Sequence, residues 1–394
     1  MANFKRLSDL DVRGKRVLVR VDFNVPLDEQ LHVTSDARIV AALPTIRAIL
    51  ERGGRPVLMS HLGRPKGKVV ESMRMRPAAE RLAQLLDGAV QVCRTCVGAE
   101  AEAAAKSLQP GECLMLENLR FHAEEEAGDP GFAAALAKLG DVYVNDAFGT
   151  AHRAHASVSG VAKLLPAAAG LLMEKEIDAF DKVLHEPARP FLAILGGAKV
   201  SDKLPVILNL LDRVDGLVIG GAMAYTFLKQ RGLEIGKSRV ENDLLDQARK
   251  IKNLAAEKHV RLLLPQDHVC APEFKADAPA SVHGPAIPAD QMGLDIGPKT
   301  IATFVAAIAE AKTIVWNGPM GVFEMPAFRK GTEAVARAVA AATAWTVVGG
   351  GDSVAAVELL GVADRIDHVS TGGGASLELL EGRDLPGVTA LRSS

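Results

Sequence analysis

Asp22 and Asn24 stand two apart in Val19-Arg20-Val21-Asp22-Phe23-Asn24-Val25-Pro26, where an apolar run breaks into polar groups just before a proline. One acid and one amide at that spacing suit a small molecule bearing hydroxyl and carboxyl groups. Asp, Asn and Pro are also common turn formers, so this stretch alone leaves both readings open. Three more polar clusters follow: His61-Leu62-Gly63-Arg64-Pro65, Asn118-Leu119-Arg120-Phe121-His122, and Asn145-Asp146 running on to His152-Arg153. Arg38 comes soon after Pro26. Arginine captures phosphate or carboxylate through paired hydrogen bonds. A single arginine at a strand end is usually only solvated. Arg38, Arg64, Arg120 and Arg153 with His61 and His152 point to an anion site.

The second half carries a different set. Leu195-Gly196-Gly197-Ala198-Lys199-Val200-Ser201-Asp202-Lys203, Val348-Gly349-Gly350-Gly351-Asp352-Ser353 and Ser370-Thr371-Gly372-Gly373-Gly374 each join an apolar run to a helical pattern. Glycine lets backbone N–H groups approach an anion, and a helix N-terminus favours negative charge. Lys199 and Lys203, four apart, share a face if the helix has begun. Asp352 is either a helix N-cap or a carboxylate for Mg²⁺ beside phosphates. Gly232 to Ser238 is one residue short of a Walker A loop and follows a helical pattern, so Gly232 reads as a helix C-cap. No dinucleotide fingerprint sits at a strand–helix junction, and the protein-kinase motifs are missing.

The elements that place these groups alternate in period. Strands are expected at Arg16–Val21, Pro56–Ser60, Ala89–Val92, Cys113–Glu117 and Asp141–Val144. In the second half they are expected at Phe191–Leu195, Gly216–Ile219, Arg261–Leu264, Thr313–Trp316, Thr346–Val348 and Asp367–Ser370. Helical patterns lie between them, as at Asp36–Arg52, Pro77–Leu86 and Pro130–Leu139. Such alternation means α/β architecture with parallel sheets. The chain's 394 residues exceed one comfortable core. The fold class is therefore two doubly wound, Rossmann-like parallel-sheet domains, with ligands at the carboxyl ends of the strands. Gly170 to Leu184, closed by Pro187 and Pro190, reads as a helix linking domains or as one more packed helix. The expected boundaries are 1–170, a linker helix over 171–187, and 188–379.

A net charge of −2 excludes a globally basic nucleic-acid binder, and no apolar run is long enough to span a membrane. The N-terminus lacks a signal peptide's apolar region, so a soluble cytoplasmic protein is expected. Cys93 and Cys96 spell C-x-x-C beside a β-like run, without a second pair at metal spacing, and read as incidental thiols.

In order along its length, the chain resembles the phosphoglycerate kinase family. The motifs are Val-Arg-Val-Asp-Phe-Asn-Val-Pro, Ser-His-Leu-Gly-Arg-Pro, Glu-Asn-Leu-Arg-Phe, Asp-Ala-Phe-Gly-Thr-Ala-His-Arg-Ala-His, Leu-Gly-Gly-Ala-Lys-Val, Trp-Asn-Gly-Pro-Met-Gly-Val-Phe-Glu, Gly-Gly-Gly-Asp-Ser and Ser-Thr-Gly-Gly-Gly-Ala-Ser-Leu-Glu. The resemblance implies a first domain for 3-phosphoglycerate or 1,3-bisphosphoglycerate and a second for Mg²⁺-bound ATP or ADP. It implies a monomer, with the tail 380–394 packing back on the first domain. Asp22, Phe23, Asn24, Arg38, His61, Leu62, Gly63, Arg64, Arg120, His152 and Arg153 would bind the acid. Arg38 and Lys199, with the amides of Gly350 and Gly373, would serve the transferring group. Lys203, Gly220, Gly221, Asn317, Glu324, Gly351, Asp352 and Ser353 would bind the nucleotide, with Asp352 on Mg²⁺. Ser353 stands where many members carry Thr, which keeps the hydroxyl. A nicotinamide oxidoreductase and a non-catalytic anion-binding protein are the rival readings; both leave two complementary sets of strand-end groups unexplained.

Overall fold

The computed structural model describes residues 4–392; the expected first domain's residues 1–3 and the tail's 393–394 lie outside the described residues. The chain forms two compact units, Met1–Asp178 with Asp384–Ser394, and Ala179–Arg383. The break falls inside the helix Leu171–Leu184.

The first unit is built on a six-stranded sheet. Its strands are β1 (Arg16–Arg20), β2 (Arg55–Met59), β3 (Val90–Val92), β4 (Cys113–Met115), β5 (Val142–Asn145) and β6 (Ala167–Ala169), in the order β3-β4-β2-β1-β5-β6. Every pairing is parallel. Arg20 at the end of β1 is opposite Met59 on one side and Asn145 on the other, so three strands finish level and their following loops are neighbours. The helix Ala37–Glu51 buries Ile39, Leu43, Ile46 and Ile49 at helical spacing against this sheet. That stripe leaves Arg38, one residue before Ile39, in the exposed first turn.

The second unit repeats the plan with β7 (Phe191–Leu195), β8 (Gly216–Ile219), β9 (Arg261–Leu263), β13 (Thr313–Asn317), β14 (Trp345–Gly349) and β15 (His368–Val369), in the order β15-β14-β13-β7-β8-β9. All of these pairings are parallel. Between β9 and β13 lies an antiparallel sheet of β10 (His268–Ala271), β11 (Ser281–His283) and β12 (Met292–Ile296). Neither this sheet nor β6 is legible in the periodicity. β6 is three alanines after Pro166, with none of the β-branched or aromatic residues that mark a strand.

Cys93, Cys96, Cys113 and Cys270 are buried free thiols. Burial raises the Cys93 and Cys96 thiols above their ordinary value, which suits incidental core residues. Gly232 follows the helix Ala224–Gln230 with φ +81°, the left-handed conformation of a C-cap glycine. Among the described residues, no helix is long and apolar enough to cross a membrane.

Candidate active site

In the first unit, strand alternation aims the acid–amide pair. Val21, Phe23 and Val25 are buried in the core, so Asp22 and Asn24 face the opposite way. Phe23 and Leu62 are both core side chains; Phe23 N–H donates to Ser60 Oγ at 2.9 Å and Leu62 C=O accepts from Asn118 Nδ2 at 2.7 Å. Asp22 Oδ2 is paired with Arg38 Nη1 at 2.5 Å. The Asn24 side-chain oxygen accepts from Gly63 N–H at 2.8 Å, while Arg120 Nη1 donates to Gly63 C=O at 2.9 Å. The loops after β1, β2 and β4 are thereby locked to one residue, Gly63. Asn118 Oδ1 accepts from Arg120 N–H at 3.0 Å and forms the tight turn Leu119–Phe121 that presents Arg120.

A neutral histidine lies among these cations. His61 is 5% exposed, and burial first, then the charges of Arg20, Arg120, Arg153 and Arg38, hold it well below its ordinary value. Its Nδ1 lies 3.1 Å from Arg20 Nη2, and since guanidinium only donates, His61 accepts there. His155 is pushed down to about 4, by burial and then by Arg20, Arg120 and Arg153. Burial, with Arg153 and Arg20, lowers even Arg120, although Glu126 opposes the shift. Arg153 Nε donates to His152 Nε2 at 3.2 Å. Positive charge this concentrated, offset in part by Asp22 on Arg38 and by Glu126 at 3.3 Å from Arg120 Nε, favours a multiply charged anion.

The structure thus brings Arg38, Arg120 and Arg153 around His61, whereas Arg64 stands exposed on the loop after β2. Arg20 was missed. It is 1% exposed at the end of β1, donates from Nε to Ser157 Oγ at 2.9 Å and from Nη1 to Val21 C=O. An arginine between two valines of a core strand is the signal that was available, because a buried charge requires partners.

In the second unit, Asn317 ends β13 opposite Leu195 of β7 and Gly349 of β14, so the loops after β7, β13 and β14 start level. They border a cavity of about 500 Å³ lined by Gly197, Ala198, Gly221, Glu324 and Asp352. Its far wall includes Tyr225, Lys237, Arg239, Phe274 and Gly293, which were not read from the sequence. Gly221 has φ +67°, and a Cβ there would come within 2.6 Å of Gly197 N; the loop packing demands glycine.

The structure decides two alternatives that the sequence left open. The helix after Lys199 begins only at Leu204, so Lys199 and Lys203 do not share a helical face; Lys199 is half-buried on the loop and Lys203 is half-buried at the N-cap. Asp352 is no N-cap either. Gly350 occupies that position, and Asp352 lies in the first turn of the helix Gly351–Leu359. Lys203 Nζ donates to Asn317 Oδ1, and burial lowers the lysine against the opposing charges of Asp202 and Asp352. Asn317 Nδ2 is buried without a partner among the described residues. Ser353 Oγ accepts from Gly318 N–H at 2.5 Å, bracing the loop after β13. Gly220 N–H donates to Leu195 C=O at 2.8 Å, and Gly373 is the N-cap of the helix Gly374–Leu380.

Comparison with known proteins agrees with both halves. The phosphoglycerate kinase family model matches residues 7–383. A phosphoglycerate kinase of Moorella thermoacetica is 62% identical over 386 residues, covering 98% of each chain. One from Roseiflexus castenholzii is 58% identical over 393 residues, covering 99% of each. Among solved structures, phosphoglycerate kinase from Coxiella burnetii superposes with a TM-score of 0.91 at 43% identity, over 98% of each chain. That from Pyrococcus horikoshii OT3 gives 0.83 at 35% identity, also over 98% of each. The family model, relatives up to 62% identical over nearly the whole chain and the structural superpositions all agree, and the chain belongs to the phosphoglycerate kinase family.

Proposed function

We propose that the protein catalyses reversible phosphoryl transfer between 1,3-bisphosphoglycerate and ADP, giving 3-phosphoglycerate and ATP. The observation that carries this reading is the guanidinium cluster around neutral His61 beside the Asp22–Asn24 pair. It fits a small acid with a phosphate at one end and a carboxyl at the other. The cavity of the second unit, with Asn317 Nδ2 unpartnered at its strand ends, fits a nucleotide.

In this reading Asp22 and Asn24 take the hydroxyl and carboxyl end, with the backbone of Phe23, Leu62 and Gly63 beside them. Arg64, Arg120, Arg153, His61 and His152 take the 3-phosphate. Lys203, Asn317, Gly220, Gly221 and Ser353 serve the nucleotide, and Glu324 takes its ribose. The amides of Gly350, Gly351 and Gly373 follow the phosphates. Asp352 fits Mg²⁺ as a single exposed carboxylate at the cavity. No group of three metal-ligating side chains occurs among the described residues, which suits an ion completed by phosphate oxygens and water. When bound, Mg²⁺ supplies neutralisation of phosphate charge.

The attacking carboxylate is already ionised, so the reaction needs no general base. Catalysis is positioning plus neutralisation of charge on the phosphoryl oxygens. Arg38, parked on Asp22 when no ligand is bound, would turn to the transferring group, and Lys199 would meet the same group from the nucleotide side. The two sets lie on different units, so the reading includes closure of the domains about the linker helix, with expulsion of water. It also takes the protein as a cytoplasmic monomer.

A coupled assay with ATP, 3-phosphoglycerate and Mg²⁺ tests the reading, with turnover lost on chelation as the expected result. Binding of both substrates without turnover would leave only an anion-binding protein. An NADH fluorescence change with no Mg²⁺ requirement would favour an oxidoreductase.

A further inference from the structure

The segment from Ile235 to Glu241 straps together separate walls of the second unit's cavity. Lys237 N–H donates to Gln291 C=O at 2.7 Å, and Ser238 Oγ accepts from Gly293 N–H at 2.9 Å. Glu241 N–H donates to Thr226 Oγ1 at 3.1 Å, on the helix that follows Gly220 and Gly221. The strap ends on the glycine loop after β7. Glu241 Oε2 accepts from Val200 N–H at 2.6 Å and from Ser201 N–H at 3.2 Å, and Oε1 accepts from Ser201 Oγ at 2.6 Å.

These bonds fall where the loop has least support of its own. Gly196 and Gly197 precede it, and the helix begins only at Leu204. The Val200 and Ser201 amides therefore have no helical ladder to join, and a carboxylate satisfies both. Burial acts to raise the Glu241 carboxyl but is outweighed by the Ser201 and Val200 bonds and the Lys199 charge, which leave it below its ordinary value. Gly197 and Ala198, just before Lys199, line the cavity.

We propose that Glu241 is a positioning residue for the phosphoryl transfer: its carboxylate fixes the Val200–Ser201 turn, and thereby holds Lys199 where it meets the transferring group. This rests on the role given to Lys199 above. Glu241 touches neither substrate; it acts through the turn. A displacement of about 1 Å at a reacting group costs on the order of 100-fold in rate, so even a partial loosening of the turn should be measurable.

The test is a double-mutant cycle of Glu241→Ala with Lys199→Ala, read as kcat and as KM for each substrate, alongside Glu241→Gln, Ser201→Ala and thermal melting. Glu241→Ala alone should lower kcat by about tenfold or more with KM for 3-phosphoglycerate unchanged. Glu241→Gln, which keeps one acceptor oxygen, should recover part of the loss, and Ser201→Ala should cost less. In the Lys199→Ala background the Glu241 substitution should change kcat by less than about twofold, because the group it positions is gone. An equal loss in both backgrounds would make Glu241 a plain structural brace and overturn the proposal, as would wild-type kcat in Glu241→Ala. If Glu241→Ala does not fold, Glu241→Gln and Ser201→Ala take its place in the cycle. A wild-type protein without turnover would sink the proposed function instead. Calorimetric ATP binding would then read the loop by itself, and unchanged affinity in Glu241→Ala would overturn the positioning role.

Discussion

Asp146, one residue beyond β5, accepts a hydrogen bond from the backbone N–H of Leu172 at 2.9 Å, and from that of Met173 at 3.3 Å. These amides open the helix Leu171–Leu184, along which the chain leaves its first compact unit for its second. A strand-end acid of the first sheet is thus the cap of that helix. Burial raises the Asp146 carboxyl from 3.8 to about 7, against the lowering effect of the two amides. Between those two values the folded protein holds a proton that the unfolded chain has released. Stability from this group therefore falls as pH rises from about 4 to about 7, then levels off. Asp146→Asn should remove that slope, and urea denaturation of both proteins at intervals from pH 4 to 8 measures it. Parallel curves for wild type and variant would refute the assignment. Asp146→Ala, which leaves two helix-terminal amides without an acceptor, should cost about 1–2 kcal/mol at pH 4, where the wild-type carboxyl carries no titration penalty, and less as pH rises towards 7.

Arg38 is held by Asp22 at 2.5 Å in the unliganded protein and is given the transferring phosphoryl group in the proposed reaction. Arg38→Ala should lower kcat by roughly 10³-fold, by analogy with other transition-state arginines. The fold should survive, because this side chain is 44% exposed. Near wild-type turnover in Arg38→Ala, with Lys203→Ala inactive, would reverse the division of roles between the two units.

Behind the cation cluster, Ser157 Oγ accepts from Arg20 Nε at 2.9 Å and donates to Glu125 Oε1 at 2.5 Å, with all three residues buried. Ser157→Ala breaks both bonds and leaves charged groups short of partners. It should destabilise the protein by about 1–3 kcal/mol and raise KM for 3-phosphoglycerate more than KM for ATP. Chemical denaturation and steady-state kinetics together check this; an equal rise in both KM values would point to general loosening.

Gly350 caps the helix bearing Asp352 with φ +89°, and a Cβ there would lie 2.8 Å from Asn317 Nδ2. Gly350→Ala should cost about 1–2 kcal/mol in backbone strain. It should also weaken ATP binding by pushing Asn317 from its place. Calorimetric titration with ATP would expose the error if affinity were unchanged.

Much of this protein was written locally. Short apolar runs, intervening amphipathic helices and polar or glycine-rich residues just after each run identify two parallel-sheet domains with ligands at the strand ends. Those signals depend on period and turn chemistry, which a linear reading can follow. β6 was silent because Ala167–Ala169 has no strand propensity and pairs only because Tyr143 to Asn145 lie ready beside it. The antiparallel sheet of β10 to β12 likewise depends on partners distant in sequence.

At the site, residue types were legible and their burial was not. Asp22, Asn24, Arg120 and Arg153 announced an anion site by chemistry alone, while Arg20 was hidden as one residue of a strand. Only packing shows that Arg20 is buried and that His61 is kept neutral among four guanidiniums. Helix starts were equally a tertiary matter. Glu241, 40 residues from Ser201, occupies the amides that a helix would otherwise have taken, so Lys199 stays on a loop. Sequence by itself determined which groups were available and at which strand ends they would stand. Tertiary structure decided which were desolvated and which were brought together, because burial and long-range hydrogen bonds are set by neighbours that no local pattern names.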